Sequence, residues 1–267
     1  MENIVQSRSG GITELSYLEL LAYLGITRHL GGWDANTELC RLCQIGPGKY
    51  VLDVGCGVGR TPCILAKRYG CRVMGIDLSP RMVEWSRQRA HQEGVAGTVE
   101  IRAADAQQLP FDDATFDAVI TESVLAFVPD RAKALREFTR VTKPGGYVGL
   151  NEVSWLKTPV PQSVLEYLSG NYFSGARAET VETWQGLLAA SGVQDVVVRV
   201  HQISARSDVR DRLKWFGFRG VVANLYRMVA LSLSSPATRR GIRLTMSRHV
   251  PKDLYDYYGY GIYVGRK

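Results

Sequence analysis

Apolar residues fall into two rhythms that alternate along this chain from about residue 50 onward. KYVLDVG, CRVMGID, TVEIRAAD, FDAVITE and GGYVGLNEV are short apolar runs that read as strands. Between them TPCILAKRYG, SPRMVEWSRQRAHQEG and DRAKALREFTRVT carry apolar residues at helical spacing. Strand and helix alternating at this interval predict an α/β fold, a parallel sheet with helices on both faces. The strand cores are almost wholly apolar, as a sheet covered on both sides requires. After a loop rich in Pro and Ser, AETVETWQGLLAASG predicts another helix and DVVVRVHQI another strand, and GYGIYVGRK reads as a short final strand. The region before residue 48 reads as a helical cap.

The pattern breaks at VLDVGCGVGR, where a strand built on Val51, Leu52 and Val54 gives way to Gly55, Gly57 and Gly59. A chain gives up side chains at such a turn when the backbone must bend sharply or when something must approach it closely. Placed between the first strand and the first helix, the turn offers backbone N–H groups and a helix N-terminus to a ligand. The dinucleotide fingerprint G-x-G-x-x-G would need glycine at position 60, but Arg60 stands there, and Asp53 precedes the first glycine by two residues. That acid repels a pyrophosphate and tolerates an ammonium or sulfonium centre. The turn therefore favours a cationic nucleoside ligand and counts against a dehydrogenase. Asp77 ends the second strand, where a carboxylate can accept both hydroxyls of a ribose. Asp105 ends the third, within reach of an adenine amino group. Each acid alone could be a helix cap or a turn residue. Three on one edge of one sheet exceed what capping needs.

Composition narrows the class without naming it. A chain of 267 residues with 45% hydrophobic and 22% charged residues fits a globular enzyme. Its N-terminus, MENIVQSRSGGITE, lacks the apolar centre of a secretory signal, and VVANLYRMVALSL is too short for a membrane span and carries Arg227. Five cysteines without a secreted-scaffold spacing predict reduced thiols and a cytoplasmic location. Cys40 and Cys43 read as apolar thiols in a helix rather than a metal or redox pair. The net charge of +7 is uneven: residues 205 to 256 hold eleven Lys or Arg against four acids, which equals the whole excess.

Taken together, VLDVGCGVGR, GIDLSP, AADAQQLPFDDATFD and TKPGG resemble the class I S-adenosylmethionine-dependent methyltransferases, particularly the branch of the ubiquinone and menaquinone methyltransferases. The resemblance covers about residues 48 to 152, with four motifs in order. It implies a Rossmann-like seven-stranded sheet of order 3-2-1-4-5-7-6 with strand 7 antiparallel. It also implies S-adenosyl-L-methionine as cofactor and methyl transfer to an O, N or C nucleophile of a small organic acceptor. The domain plan is then a helical N-terminal cap over the cofactor (1–47), a core (48–204) closed by a final strand (257–267), and a basic helical insertion (205–256). By the same resemblance Gly55 and Gly57, with Asp53 beside them, lie under the methionyl moiety, and Glu122 sits near it. Asp77 holds the ribose hydroxyls, Leu78 packs on adenine, and Asp105 and Ala106 read its N6 and N1 edge. Many relatives carry histidine after the fourth strand, where this chain has Ala126 and Phe127, a change that favours an apolar acceptor.

No motif fixes a general base. His29, in TRHLGGWDAN, and Glu152, following the fifth strand in NEVSW, are the candidates to accept a proton or bind the acceptor. Trp33, Tyr257 and Tyr258 are candidates to line its pocket. No His, Asp and Glu cluster has metal-ligand spacing, so no metal is expected. The insertion divides into SDVRDRLKWFGF, VVANLYRMVALSLS and SPATRRGIRLTMSRH, each predicted as a helix with an apolar and a basic side. It is expected to act as a lid over the acceptor, with Arg side chains available to an anionic group. A homo-oligomer contact and peripheral docking on anionic membrane are the alternatives, and the latter suits a lipid or quinone acceptor. A nucleic-acid acceptor is disfavoured, since ESVL stands where base-modifying enzymes carry N-P-P-Y or similar.

Overall fold

A computed structural model describes residues 29–169, 176–204 and 250–267, with scattered positions between 214 and 233. Contacts divide the chain into two compact units, His29–Trp215 with Arg248–Lys267, and Met1–Arg28 with Phe216–Ser247. The expected cap up to residue 28 and most of the expected insertion between 205 and 249 lie outside the described residues. In the second unit the described positions from Gly217 to Leu233 are helical, and Phe218, Val222, Leu225, Tyr226, Val229 and Leu233 are exposed.

The first unit runs α1 (Gly32–Leu42), β1 (Tyr50–Val54), α2 (Arg60–Tyr69), β2 (Arg72–Asp77), α3 (Pro80–Gln92), β3 (Val99–Ala103) and β4 (Phe116–Glu122). A short 3-10 turn (Leu125–Phe127) follows, then α4 (Arg131–Val141), β5 (Thr142–Trp155), α5 (Gln162–Ser169), β6 (Glu179–Thr180) and α6 (Val181–Ala190). The unit ends with β7 (Gln194–Gln202), α7 (Leu254–Tyr257) and β8 (Tyr258–Arg266). Helix starts follow capping chemistry. Ser79 accepts from Met82 N–H ahead of Pro80, Asp130 from Lys133 N–H, and Thr180 from Thr183 N–H.

The sheet has the order β3-β2-β1-β4-β5-β8-β7, with the two-residue β6 paired beside the end of β5. β1 to β5 run parallel, and β8 is antiparallel to both β5 and β7. With β6 set aside, this is the expected 3-2-1-4-5-7-6. Alternation along the strands explains the layers. Val51, Val73, Ala118 and Ile120 face a core with Leu39, Cys63, Leu65 and Val83 of α1 to α3. Leu52, Met74, Val119 and Leu150 face a second core with Leu135, Phe138, Trp184 and Leu188 of α4 and α6.

Two expected boundaries are corrected. β5 is longer than the apolar run from 145 to 153. Thr142 already pairs with Phe116 across a register shift, and β8 holds the far end through Trp155 and Tyr258. Glu152 therefore lies inside β5, opposite Gly261, and does not follow the strand. β3 ends at Ala103, so Asp105 stands two residues beyond it, in a turn bridged to Gln108. All five cysteines are free and buried; Cys40 lies in α1 and Cys43 at its C-cap, and burial raises both thiol pKa values.

Candidate functional site

The glycine turn joins β1 to α2 at the carboxyl edge of the parallel strands, and acids converge on it. Asp53, 2% exposed, has an Oδ2 with no hydrogen-bond partner among the described residues. Burial first, then the carboxylates of Glu122 and Asp77, hold its carboxyl well above the usual range. Asp77 Oδ2 accepts from Gly57 N–H at 2.9 Å and its Oδ1 from Ser79 N–H at 2.9 Å, so this acid shapes the turn itself. Gly55 has φ 74°, and a Cβ there would come within 2.4 Å of Val124, so the segment after β4 lies directly on the turn. Gly57, with φ 54°, is different: a Cβ there would meet nothing within 4 Å. Leu78 beside it is 73% exposed. Asp105 is exposed, its carboxylate accepting from Gln107 N–H at 2.8 Å, and Ala106 next to it is half-buried.

Glu122, the last residue of β4, is the hub of the neighbouring edge. Its Oε1 accepts from Asn36 Nδ2 and from Thr61 Oγ1, both at 2.9 Å, and its Oε2 lies 3.1 Å from His29 Nδ1. His29 is 7% exposed. Its Nδ1 bonds the Leu30 carbonyl at 3.3 Å, and Asn151 of β5 bonds that same carbonyl at 2.9 Å while standing 3.3 Å from Nδ1. His29 Nε2 is buried without a partner among the described residues. The Trp215 ring meets His29 edge-on at 4.6 Å and lies 4.8 Å from the Arg60 guanidinium, which also donates to the Trp215 carbonyl. Ser123, just after Glu122, holds φ 60° and donates its N–H to the Asn151 carbonyl at 2.7 Å.

The turn after β4 is gripped from both ends of its peptide dipoles. Glu152, fully buried, accepts from the N–H groups of Val124 and Leu125 at 2.9 and 2.8 Å, and from Ala126 at 3.4 Å. Burial pushes its carboxyl up to about 7 against the opposing pull of those three bonds. Arg131, also buried, donates to the carbonyls of Leu125, Ala126 and Arg177, pairs with Glu179, and faces the Trp184 ring at 5.1 Å.

The aromatic candidates separate. Tyr258 is 6% exposed and lines a cavity of about 340 Å³ with Val153, Trp155, Leu165, Leu168 and Arg177. Trp33 does not line it: its ring lies 4.8 Å from the Arg68 guanidinium on α2. Tyr257 ends α7 and is likewise absent from that lining.

Asn36, Thr61, Asn151 and Trp215 escaped the reading of the sequence. The one signal available for the first three was a polar side chain on an apolar face, since all three are buried. For Trp215 nothing local pointed to Arg60, 155 positions away.

Comparison with known proteins agrees with this geometry. Residues 52–150 match the methyltransferase domain family. An uncharacterized protein of Haemophilus influenzae is 32% identical over 179 residues, covering 66% of this chain and 71% of that protein. A sarcosine/dimethylglycine N-methyltransferase of Halorhodospira halochloris is 41% identical over 103 residues, which span 39% of this chain and only 37% of that enzyme. Among solved structures, phosphoethanolamine N-methyltransferase 2 of Haemonchus contortus, in complex with S-adenosyl-L-methionine, superposes with a TM-score of 0.71 at 20% identity. That match covers 95% of this chain and 60% of the other. The chain belongs to the class I S-adenosylmethionine-dependent methyltransferases. It is an enzyme whose methyl donor is S-adenosylmethionine.

The residues present fit that donor. Three carboxylates surround the turn, and two of their oxygens, Asp53 Oδ2 and Glu122 Oε2, are buried without a hydrogen-bond partner among the described residues. The space over Gly57 is open, and an exposed leucine stands where a flat base can pack.

Proposed function

We propose that this enzyme methylates a small organic acceptor, binding its cofactor across the carboxyl edges of β2, β1 and β4 and the acceptor toward β5. The convergence of Asp53, Asp77 and Glu122 on an open glycine turn carries the reading. Gly57 gives the methionyl end its room and Gly55 lets Val124 close on the turn, with Asp53 and Glu122 supplying negative charge there. Asp77 takes the ribose hydroxyls. Leu78 packs on the base, and Asp105 and Ala106 read its N6 and N1 edge. S-adenosylmethionine supplies an electrophilic methyl on a sulfonium. The protein aligns the nucleophile, excludes water and, where the nucleophile carries a proton, takes it. The relatives named for sarcosine/dimethylglycine and phosphoethanolamine support a small amine acceptor. Tyr258 and the cavity beside β5 offer it an apolar wall; Trp33 and Tyr257 have no place in that wall. Glu152 acts as a positioning residue for the turn after β4.

Residues 205 to 256 act as a lid, and the packing of Trp215, itself part of the first unit, against His29 and Arg60 supports a place for the start of that segment near the site. The exposed apolar positions from Phe218 to Leu233 keep a homo-oligomer contact and anionic-membrane docking as the competing roles. No described helix is long and apolar enough to cross a membrane. We place the enzyme in the cytoplasm on its five free thiols, and nucleic acid outside its acceptors. Calorimetry with S-adenosylmethionine, S-adenosylhomocysteine and NAD tests the core of this reading. Binding of the first two alone supports it, and binding of NAD alone overturns it. Salt-sensitive sedimentation with anionic but not neutral vesicles would move the insertion from lid to membrane contact.

A further inference from the structure

We propose that His29 Nε2 is the proton acceptor of the methyl transfer, and that the acceptor is therefore a protic nucleophile, an O–H or an N–H group. The inference rests on the methyltransferase reading above and deepens it. His29 stands where β4 and β5 meet, 3.1 Å from Glu122 at the end of one and 3.3 Å from Asn151 in the other. Its Nδ1 bonds the Leu30 carbonyl at 3.3 Å and lies 3.1 Å from the Glu122 carboxylate, while the Asn151 amide nitrogen, a donor already bonded to the Leu30 carbonyl at 2.9 Å, stands 3.3 Å away. Two acceptors, one of them a carboxylate, outweigh this shared amide donor and place the proton on Nδ1, which leaves the lone pair on Nε2. That nitrogen is buried and bonds nothing among the described residues. A buried acceptor left unpaired is costly, and a donor arriving at it recovers the cost. An acceptor's O–H or N–H is such a donor. Glu122 then offsets the positive charge the ring gains, and Asn151 and Glu122 together fix the ring's orientation.

In the step itself the X–H bond of the acceptor breaks as its proton moves to Nε2 and its electron pair forms the X–CH3 bond. The carbon–sulfur pair stays on sulfur, which becomes a neutral thioether, and the proton passes from imidazolium to solvent. No oxidant or further reactant is needed. Trp215 covers His29 in this structure, its ring 4.6 Å away and held by Arg60, while Lys214 pairs with Asp34 at 2.7 Å. Entry of the acceptor requires that ring to give way. A thioether or a tertiary amine has no proton to surrender and gains nothing from this arrangement, so two amines differing by one N–H are distinguished here.

Only four histidines occur in the chain, so nitrogen-15 NMR of the imidazoles is practical. It is run on the enzyme saturated with S-adenosylhomocysteine, and His29 is assigned by its absence in H29N. A proton on Nδ1 and a bare Nε2 are expected; a proton on Nε2 overturns the proposal. Calorimetry with S-adenosylhomocysteine should find H29N and H29Q within about threefold of wild type. A loss beyond about tenfold in both, with circular dichroism unchanged, would assign His29 to the cofactor and overturn the proposal. Wild-type protein that fails to bind would instead remove the parent reading. Mass spectrometry of the methylated product decides the acceptor class: a methyl on a former O–H or N–H supports it, and a sulfonium or a quaternary ammonium made from a tertiary amine overturns it.

Discussion

In the half of the sheet made by β3, β2, β1 and β4, the candidate residues at the carboxyl edge come from a strand end or the turn directly after it. Asp53, Gly55, Gly57, Asp77, Leu78 and Glu122 are all of this kind. The half made by β5, β8 and β7 is organised by partners far apart in sequence. Asn151 meets His29 across 122 positions, and Glu152 anchors N–H groups 26 to 28 positions before it. A parallel strand followed by a turn delivers its last side chains to one edge by geometry alone. The antiparallel return of β8 delivers nothing so regular, and that side is assembled by packing. Substitutions in the first half should therefore act on cofactor affinity, and those in the second on stability and turnover.

The largest effect expected is at Glu152. Its replacement by Ala leaves the N–H groups of Val124, Leu125 and Ala126 without their acceptor. At about 1–3 kcal/mol for each buried orphan, urea unfolding should report a loss of at least about 3 kcal/mol. E152Q adds a signature in pH. The folded carboxyl titrates at about 7, above its ordinary 4.5. Stability from its neutral form is thus complete below the lower value and is lost as pH rises through the upper one. That amounts to about 3 kcal/mol in wild type. The Gln variant should lose this component and keep only the slope contributed by the other buried acid, Asp53. A wild-type profile no steeper than the variant's would break the contrast between the halves.

Asp77→Ala tests the other half. Removing the proposed acceptor of the ribose hydroxyls should cost about 1.5–3 kcal/mol of cofactor binding, roughly tenfold to hundredfold in Kd by calorimetry. Unaltered affinity would mean that Asp77 serves the turn alone. Gly57→Ala is a finer probe. No atom obstructs the added methyl, so the fold should lose only about 1–2 kcal/mol for an L-residue in a left-handed conformation. Affinity should fall more than about tenfold if the ligand fills that space. Smallest of all is the effect of chelation, expected to be nil, since no group of three potential metal ligands occurs among the described residues. Turnover abolished by EDTA and restored by a divalent cation would refute this.

The same contrast explains what could be read in the sequence. The parallel sheet and the edge holding Asp77 and Gly57 followed from alternation and spacing over some thirty residues, whereas the strand order came from the family resemblance. Asp105 was misplaced by two residues because apolar character continues past the last paired residue of β3. Glu152 was set beyond β5 because the apolar run fades at 153, whereas pairing with β8 carries the strand to Trp155. Its grip on three N–H groups, like the meeting of Asn36 and Thr61 at Glu122, joins segments that no local pattern connects.

The ring of acids around the glycine turn bears on departure as well as arrival. Methyl transfer turns a sulfonium into an uncharged thioether, so the used cofactor leaves the site one positive charge poorer than it came. Attraction between unit charges a few ångströms apart near a protein surface is on the order of 4 kcal/mol. Part of that hold vanishes in the moment of reaction. Asp53, buried with one oxygen unpaired, can then recover a proton that the cation had displaced. With the cofactor placed as proposed, the pocket grips by charge what it is about to consume and loosens on what it has spent, so that the chemistry itself favours product release.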